Sequence, residues 1–292
     1  MRLCASCGQG LSGSAWACER CGWRASEQDG IAVLAGAPAA HAAGFSPQEF
    51  GTLHALEQDY FWFRGRIRLI LWAFERYAGD CKSFLEIGCG TGSVLAAIAR
   101  ARPDLAVWGS EAYIEGLQFA RSRVDCARLL HMDARHIPFA DEFDAIGLFD
   151  VLEHIEDDQA VLSQVARALR PRGKLLITVP QHRFLWSPAD EHACHVRRYA
   201  RAELVQKVEH ARFQVLRCTS FVSLLFPLLL ISRLLRRQRE VDPLAEYRIP
   251  GVVNRLFDLA LSAERIAIRL GASLPFGGSL LLVARRMEGA AQ

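Results

Sequence analysis

The chain has no apolar run approaching the roughly 18 residues of a spanning helix. Met1-Arg2-Leu3-Cys4 opens into polar, cysteine-containing sequence, not the apolar core of a secretory leader. Neither a spanning nor a secreted protein is expected. Net charge is only +3 over 292 residues, too little for a whole-chain polyelectrolyte attraction to nucleic acid. There is no internal repeat and no aromatic stacking module for single-stranded nucleic acid. Nine cysteines are an odd number, and four are grouped at metal-ligand spacing, so a reduced cytoplasmic protein fits better than a disulfide scaffold.

What is present is enough for one full-sized α/β domain plus a small module, with 51% hydrophobic residues. Residues 1–24 form the cysteine-rich module, and residues 25–45, rich in Ala and Gly with Pro38, read as a linker. Residues 46–292 form the large domain, helical at first over 46–79 around Tyr60-Phe61-Trp62-Phe63. From Ser83 onward, short apolar runs alternate with helical stretches, the pattern of a parallel α/β sheet. Strands are expected at Phe84–Ile87, Leu105–Gly109, Arg128–His131, Phe143–Phe149, Lys174–Val179, Phe213–Cys218 and Ser279–Ala284. Helices are expected between them, for instance Ser93–Ala101 and Asp157–Leu169, with Arg170-Pro171-Arg172-Gly173 stopping the second.

Cys4-x-x-Cys7 and Cys18-x-x-Cys21 are each followed by glycine (Gly8, Gly22). Two residues between thiolates let one tight turn present both sulfurs to a tetrahedral ion, and the glycine permits the turn that aims amides at sulfur. The spacing predicts a structural Zn²⁺ ribbon with no open coordination position. Cys194 lacks a partner pair nearby, and Cys81, Cys126 and Cys218 read as ordinary thiols.

Phe84-Leu85-Glu86-Ile87-Gly88-Cys89-Gly90-Thr91-Gly92-Ser93 reads as strand, glycine loop and helix start, in which glycines let the backbone turn sharply and approach a ligand. Glu111 ends the next strand, about 20 residues on, where a carboxylate meets two ribose hydroxyls. A nicotinamide site would carry the same acid but more usually G-x-G-x-x-G, and here Val94 and Leu95 follow. The run L-E-I-G-C-G-T-G resembles motif I of the class I S-adenosylmethionine-dependent methyltransferases, in particular the group related to ubiquinone-type O-methyltransferases. The resemblance covers about residues 60–220 and returns at 279–284. It implies a Rossmann-like seven-stranded sheet with helices on both faces, binding S-adenosyl-L-methionine. It places the methionine part at Glu86, Gly88 and Gly90, the ribose at Glu111, the adenine amino group at Asp133 and the reacting methyl beside Phe149 and Asp150, with Cys89, Gly92, Ala112 and Ala134 also against the cofactor.

Asp150-Val151-Leu152-Glu153-His154 follows the fourth strand, and two carboxylates with an imidazole within one turn suit a divalent cation. The segment resembles the E-x-x-E-H of ubiquinone-type and small-RNA 2′-O-methyltransferases, which implies a site for Mg²⁺ or another divalent ion at Asp150, Glu153, His154 and His195. It departs from the pattern at Asp150, one methylene shorter than the family glutamate. The metal-free reading gives Glu153 and His154 a capping or pocket-shaping role. His154 is the expected general base, with Asp150 and Glu153 beside it, and His182 is a second candidate. The stretch Asp190–Tyr199, dense in ionisable groups, is expected to face substrate.

About 60 residues separate the last two strands where a hairpin needs only a few. This insert (about 221–276) holds apolar Phe221–Ser232, then Arg233, Arg236, Arg237 and Arg239, and then Val252–Leu270. In that last segment apolar positions recur with helical period and Arg255, Asp258, Ser262, Arg265 and Arg269 share the opposite face. It should overhang the active site, either as a packed lid or as an interfacial element on an anionic leaflet. Either use gives the pocket an apolar roof, so the expected partner is a small hydrophobic or lipid-linked hydroxyl compound, methylated in the cytoplasm or at the inner membrane surface. Two alternatives stay open: an RNA methyltransferase gripping nucleic acid through the ribbon, for which the ribbon's basic residues (Arg2, Arg20, Arg24) are few, and a non-catalytic binder of the cofactor.

Overall fold

The computed structural model describes residues 1–13, 15–34, 49–236 and 249–288. Arg237, Arg239 and the part of the expected linker beyond residue 34 lie outside them. Nine strands form one sheet among the described residues: β1 (Ser26–Gln28), β2 (Ile31–Val33), β3 (Ser83–Ile87), β4 (Ala106–Glu111), β5 (Arg128–His131), β6 (Phe143–Phe149), β7 (Leu169–Pro180), β8 (Phe213–Phe221) and β9 (Ser279–Arg286). Their order is β1-β2-β5-β4-β3-β6-β7-β9-β8. The run from β2 to β7 is parallel, whereas β9 is inserted antiparallel between β7 and β8.

The seven strands expected from residue 83 onward are all present. The reading of residues 25–45 as linker is corrected over Ser26–Val33, where a hairpin adds two strands, β2 pairing with β5 through Ala32↔Leu130 and Val33↔His131. Its strands are three residues long, and Ser26-Glu27-Gln28 is polar and exposed throughout, so no apolar alternation announces it.

The helices are α1 (Glu49–Asp59), α2 (Phe61–Ala78), α3 (Ser93–Ala101), α4 (Ile114–Arg123), α5 (Asp158–Ala168), α6 (Pro188–His192), α7 (Arg201–His210), α8 (Phe226–Arg236) and α9 (Gly251–Arg269). Strand residues alternate between the two faces, as the period of two requires. Phe84, Ala145 and Leu281 pack with Ile70, Ile98, Leu117 and Leu261 of α2, α3, α4 and α9. Leu85, Ile146 and Leu282 pack with Val161 and Leu204 of α5 and α7.

The insert between β8 and β9 folds as α8 and α9. α9 lies along α2 so closely that a Cβ on Gly65 would stand 2.5 Å from Leu261 Cδ1. The sequence pattern misleads about which face is buried. α9 turns Leu261, Glu264 and Ile268 inward, whereas Val252, Leu256, Leu259, Ile266 and Leu270 are exposed. Asp258, grouped by sequence with the outer arginines, faces α2 and accepts both of its hydrogen bonds from Arg68 Nη1 at 3.1 Å.

The cysteine module docks on the loop between β5 and β6. Leu3 N donates to the Pro138 carbonyl at 2.9 Å, Trp16 packs edge-on to Phe139, and the Arg2 guanidinium sits over the rings of Trp16 and Trp108. No helix among the described residues is long and apolar enough to cross a membrane.

Candidate active site

The C-terminal ends of β3, β4 and β6 open into a cavity of about 1080 Å³, roofed by α8 and Phe257 of α9 and closed at one side by α1 and α2. Its position follows the general rule for α/β sheets, in which ligands sit beyond the carboxyl ends of the strands.

At the β3 end, Gly88, Gly90 and Gly92 have φ of 68°, 52° and 76°. A Cβ on Gly88 would lie 2.5 Å from Val151 Cγ2, so both backbone and space require glycine there. Gly92 has another role: it lines no part of the cavity, and its bare Cα lets α3 start against the backbone of Ala120. Glu86, Cys89, Ala112, Asp133, Ala134, Phe149 and Asp150 all line the cavity.

The three acids differ in their company. Glu86 is buried with Oε2 unpartnered, and burial, opposed by the Arg66 charge, pushes its pKa up to about 8. Glu111 accepts only backbone N–H groups, from Gly90 at 3.0 Å, Ala112 at 2.7 Å and Tyr113 at 3.3 Å, with burial holding its pKa above the ordinary value. Asp133 is partly buried, but the Arg135 side chain and N–H outweigh that and hold its pKa down. An unpartnered buried carboxylate beside a glycine cradle suits a ligand that brings hydrogen-bond donors or positive charge. The residues present therefore fit the amino and hydroxyl groups of S-adenosylmethionine.

Beyond β6, Leu152–His154 forms a single 3₁₀ turn. Glu153 is fully buried with both carboxylate oxygens unpartnered, and burial together with the Asp150 charge drives its pKa well up. The His154 ring lies 4.7 Å from that of His195, and burial, then the His195 charge, lowers its pKa to about 4. His195 Nε2 stands 4.0 Å from Glu153 Oε1. One ligand atom from each of Glu153, His154 and His195 falls within 4.8 Å of the others.

The fourth expected ligand, Asp150, is not part of this cluster. At φ 59°, it turns its carboxylate to Arg66 Nε (2.5 Å) and Thr178 Oγ1 (3.0 Å). The shorter side chain is occupied in fastening α2 to the sheet. His182, the second base candidate, lines no part of the cavity and stacks on Phe184 with ring centroids 4.8 Å apart.

Sequence reasoning missed Arg66, which also donates to the Phe149 carbonyl at 2.8 Å. It placed Asp190 and Arg198 only within a substrate-facing stretch. Asp190 accepts from His195 Nδ1 at 2.9 Å and from Arg198 Nε and Nη2 at 2.7 and 3.0 Å, and is itself buried in the Ser187–Asp190 cap of α6. Burial would raise its pKa, but His195 and Arg198 bring it to about 2. A carboxylate fixing Nδ1–H leaves Nε2 as the lone-pair donor toward Glu153 and His154.

In the cysteine module, Cys4 Sγ lies 3.6 Å from Cys21 Sγ and Cys7 Sγ lies 3.7 Å from Cys18 Sγ. Four sulfurs at Zn–S ≈ 2.3 Å on a tetrahedron would be about 3.8 Å apart. The donor set fits such an ion.

Residues 85–177 match the family described as methyltransferase domain. A probable S-adenosylmethionine-dependent methyltransferase of Mycolicibacterium smegmatis is 31% identical over 171 residues, 56% of this chain and 63% of that protein. A fatty-acid O-methyltransferase of the same organism is 33% identical over 106 residues, 35% of this chain and 39% of that protein. The chain thus spans less than two thirds of the length of these curated relatives. Phosphoethanolamine N-methyltransferase 2 of Haemonchus contortus, solved with S-adenosyl-L-methionine, shares the fold at TM-score 0.55 and 17% identity, covering 83% of this chain and 58% of that one. Residues 85–177 thus match the methyltransferase domain on a sheet whose strand order, glycine loop and strand-end acids suit S-adenosylmethionine.

Proposed function

We propose that the chain transfers the methyl group of S-adenosylmethionine to a hydroxyl of a hydrophobic, lipid-like small molecule, with Glu153, His154 and His195 holding a divalent cation beside the acceptor. The observation that carries the metal part is the Glu153 carboxylate, fully buried with neither oxygen hydrogen-bonded, facing two imidazoles. Such a group is costly unless a cation or proton is supplied. Two histidines and one carboxylate leave coordination positions open for substrate oxygens. The roof supports the acceptor class: Leu225, Leu228, Leu229 and Phe257 line the cavity, and the relative named a fatty-acid O-methyltransferase points the same way.

The donor supplies an electrophilic sulfonium methyl, which the acceptor oxygen takes as the sulfur–carbon bond breaks. A divalent ion supplies Lewis acidity that lowers the pKa of a nearby hydroxyl. The protein's own part is placement. Glu86, Glu111 and Asp133 fix the donor along the strand ends, Asp190 fixes the tautomer and plane of His195, and the apolar roof excludes water from the reacting atoms. An imidazole lone pair on His154 is the acceptor for the hydroxyl proton where no ion intervenes. Among the described residues the cysteine module adds nothing to the cavity lining, which weighs against a ribbon that grips RNA at this site. In that module we infer structural zinc.

Methyl-labelled S-adenosylmethionine, purified protein and cell extract, fractionated into lipid, aqueous, protein and RNA pools, test the reading. Label in the lipid pool that is lost on chelation and in Glu153→Ala supports it. Lipid label that survives both removes the metal. Label in RNA, or in no pool, overturns the acceptor assignment.

A further inference from the structure

α8 and α9 roof the cavity, and both turn a second apolar face to the outside. Along α9 the exposed apolar positions are Val252, Leu256, Leu259, Ala263 and Ile266, with Leu270 at its C-cap, spaced 4-3-4-3-4 in one continuous stripe. Leu259 is 66% and Leu270 84% exposed. Leu224, just before α8, and Ile231 on it are more than half exposed, as is Leu228, which also reaches the cavity, and Phe184 and Phe276 project beside them. Contiguous exposed apolar surface of this kind marks an interaction site.

The charge around it selects the occupant. The carboxylates on these two helices are Asp258, bonded to Arg68, and Glu264, buried and accepting the N–H groups of Ser223 and Leu224. The cations are Arg233, Arg236, Arg255, Arg265 and Arg269, with Arg255 and Arg269 exposed beside the apolar stripe. A second copy laid antiparallel on α9 would bring arginine against arginine, which disfavours it. An anionic lipid surface accepts the leucines into its acyl boundary and the arginines among its phosphates.

We propose that the outer face of α8 and α9 docks on an anionic membrane, so that the helices separating bilayer from cavity are the ones through which the acceptor enters. The delivery part rests on the acceptor reading above; the docking does not. The acceptor would enter past Leu228 of α8, which is both exposed outside and part of the cavity lining, without crossing water.

The full chain, co-sedimented with phosphatidylglycerol-containing and pure phosphatidylcholine vesicles, is expected to pellet with the first alone and to be released by salt. L259E/I266E is expected to lower binding at least tenfold with S-adenosylmethionine binding by calorimetry unchanged, since neither side chain lines the cavity. R255E/R269E is expected to weaken binding and flatten its salt dependence. Wild-type protein that stays in the supernatant with every vesicle overturns the docking. So does a dimer in solution that L259E/I266E dissolves while vesicles fail to compete, which would make the stripe a helix–helix interface. Vesicle binding with no lipid methylation leaves docking standing and rejects the acceptor class.

Discussion

Arg66 Nε lies 2.5 Å from Asp150 Oδ2, joining α2 to the residue that follows β6. The pair is what keeps Asp150, at positive φ, turned away from the Glu153–His154–His195 cluster. Arg66→Leu leaves the carboxylate with Thr178 alone and is expected to cost about 3 kcal/mol, the range for breaking a mostly buried pair. A urea-denaturation midpoint unchanged from wild type would mean the pair is structurally idle.

Asp190 lies at the cavity wall and bonds both His195 and Arg198. Asp190→Asn keeps the shape and can present its amide N–H to Nδ1, exchanging the tautomer. The expected result is a roughly 10- to 100-fold loss in divalent-ion affinity with S-adenosylmethionine affinity unchanged. Titration of the ion followed by calorimetry separates this from misfolding, which would lower both affinities.

Gly88→Ala places a methyl 2.5 Å from Val151 Cγ2 at φ 68°. S-adenosylmethionine binding is expected to fall more than tenfold. Adding Val151→Ala relieves the contact but not the backbone strain, so partial rescue is expected. Full rescue would place the whole effect in the contact.

The acid limit of stability should carry the mark of Asp158. It accepts from Arg197 Nη1 at 2.8 Å, Lys207 Nζ at 2.7 Å and the Tyr199 hydroxyl at 2.6 Å. Burial opposes ionisation, but these partners prevail and hold its pKa below the usual value. A depressed folded pKa gives stability that is present above the unfolded value of about 3.9 and is lost as pH falls through the folded one. The unfolding free energy should drop on acidification below pH 4, and Asp158→Asn should be less stable at pH 7 and lose less on acidification. An equal acid loss in that variant would assign the effect elsewhere.

Zinc in the cysteine module is checked by elemental analysis, with one ion per chain expected and Cys18→Ser expected to release it. Protein that folds normally with no zinc would refute the assignment.

The strands from β3 to β7 were legible because parallel strands buried on both faces read as short apolar runs, and the glycine loop because its glycines hold positive φ. Glu153 and His154 were legible as residue types just past a strand end, and His195 as part of a stretch dense in ionisable groups. Arg66 was not: it lies in an aromatic-rich helical stretch, 84 positions before its partner, with no local pattern to mark it. Nor was the orientation of α9, because both of its faces carry apolar residues, and periodicity finds a helix without saying which side meets α2. The β1–β2 hairpin has too few residues to show any period.

That hairpin bears on how the protein behaves at high concentration. β5 would otherwise end the sheet with a free row of N–H and C=O groups, a template for chain-to-chain pairing. β2 pairs with it, and β1 closes the row with Ser26, Glu27 and Gln28, short, polar and charged. Seen so, the hairpin guards against aggregation. A chain beginning at residue 49 should keep its cavity residues yet lose colloidal stability, clumping through β5 before it unfolds.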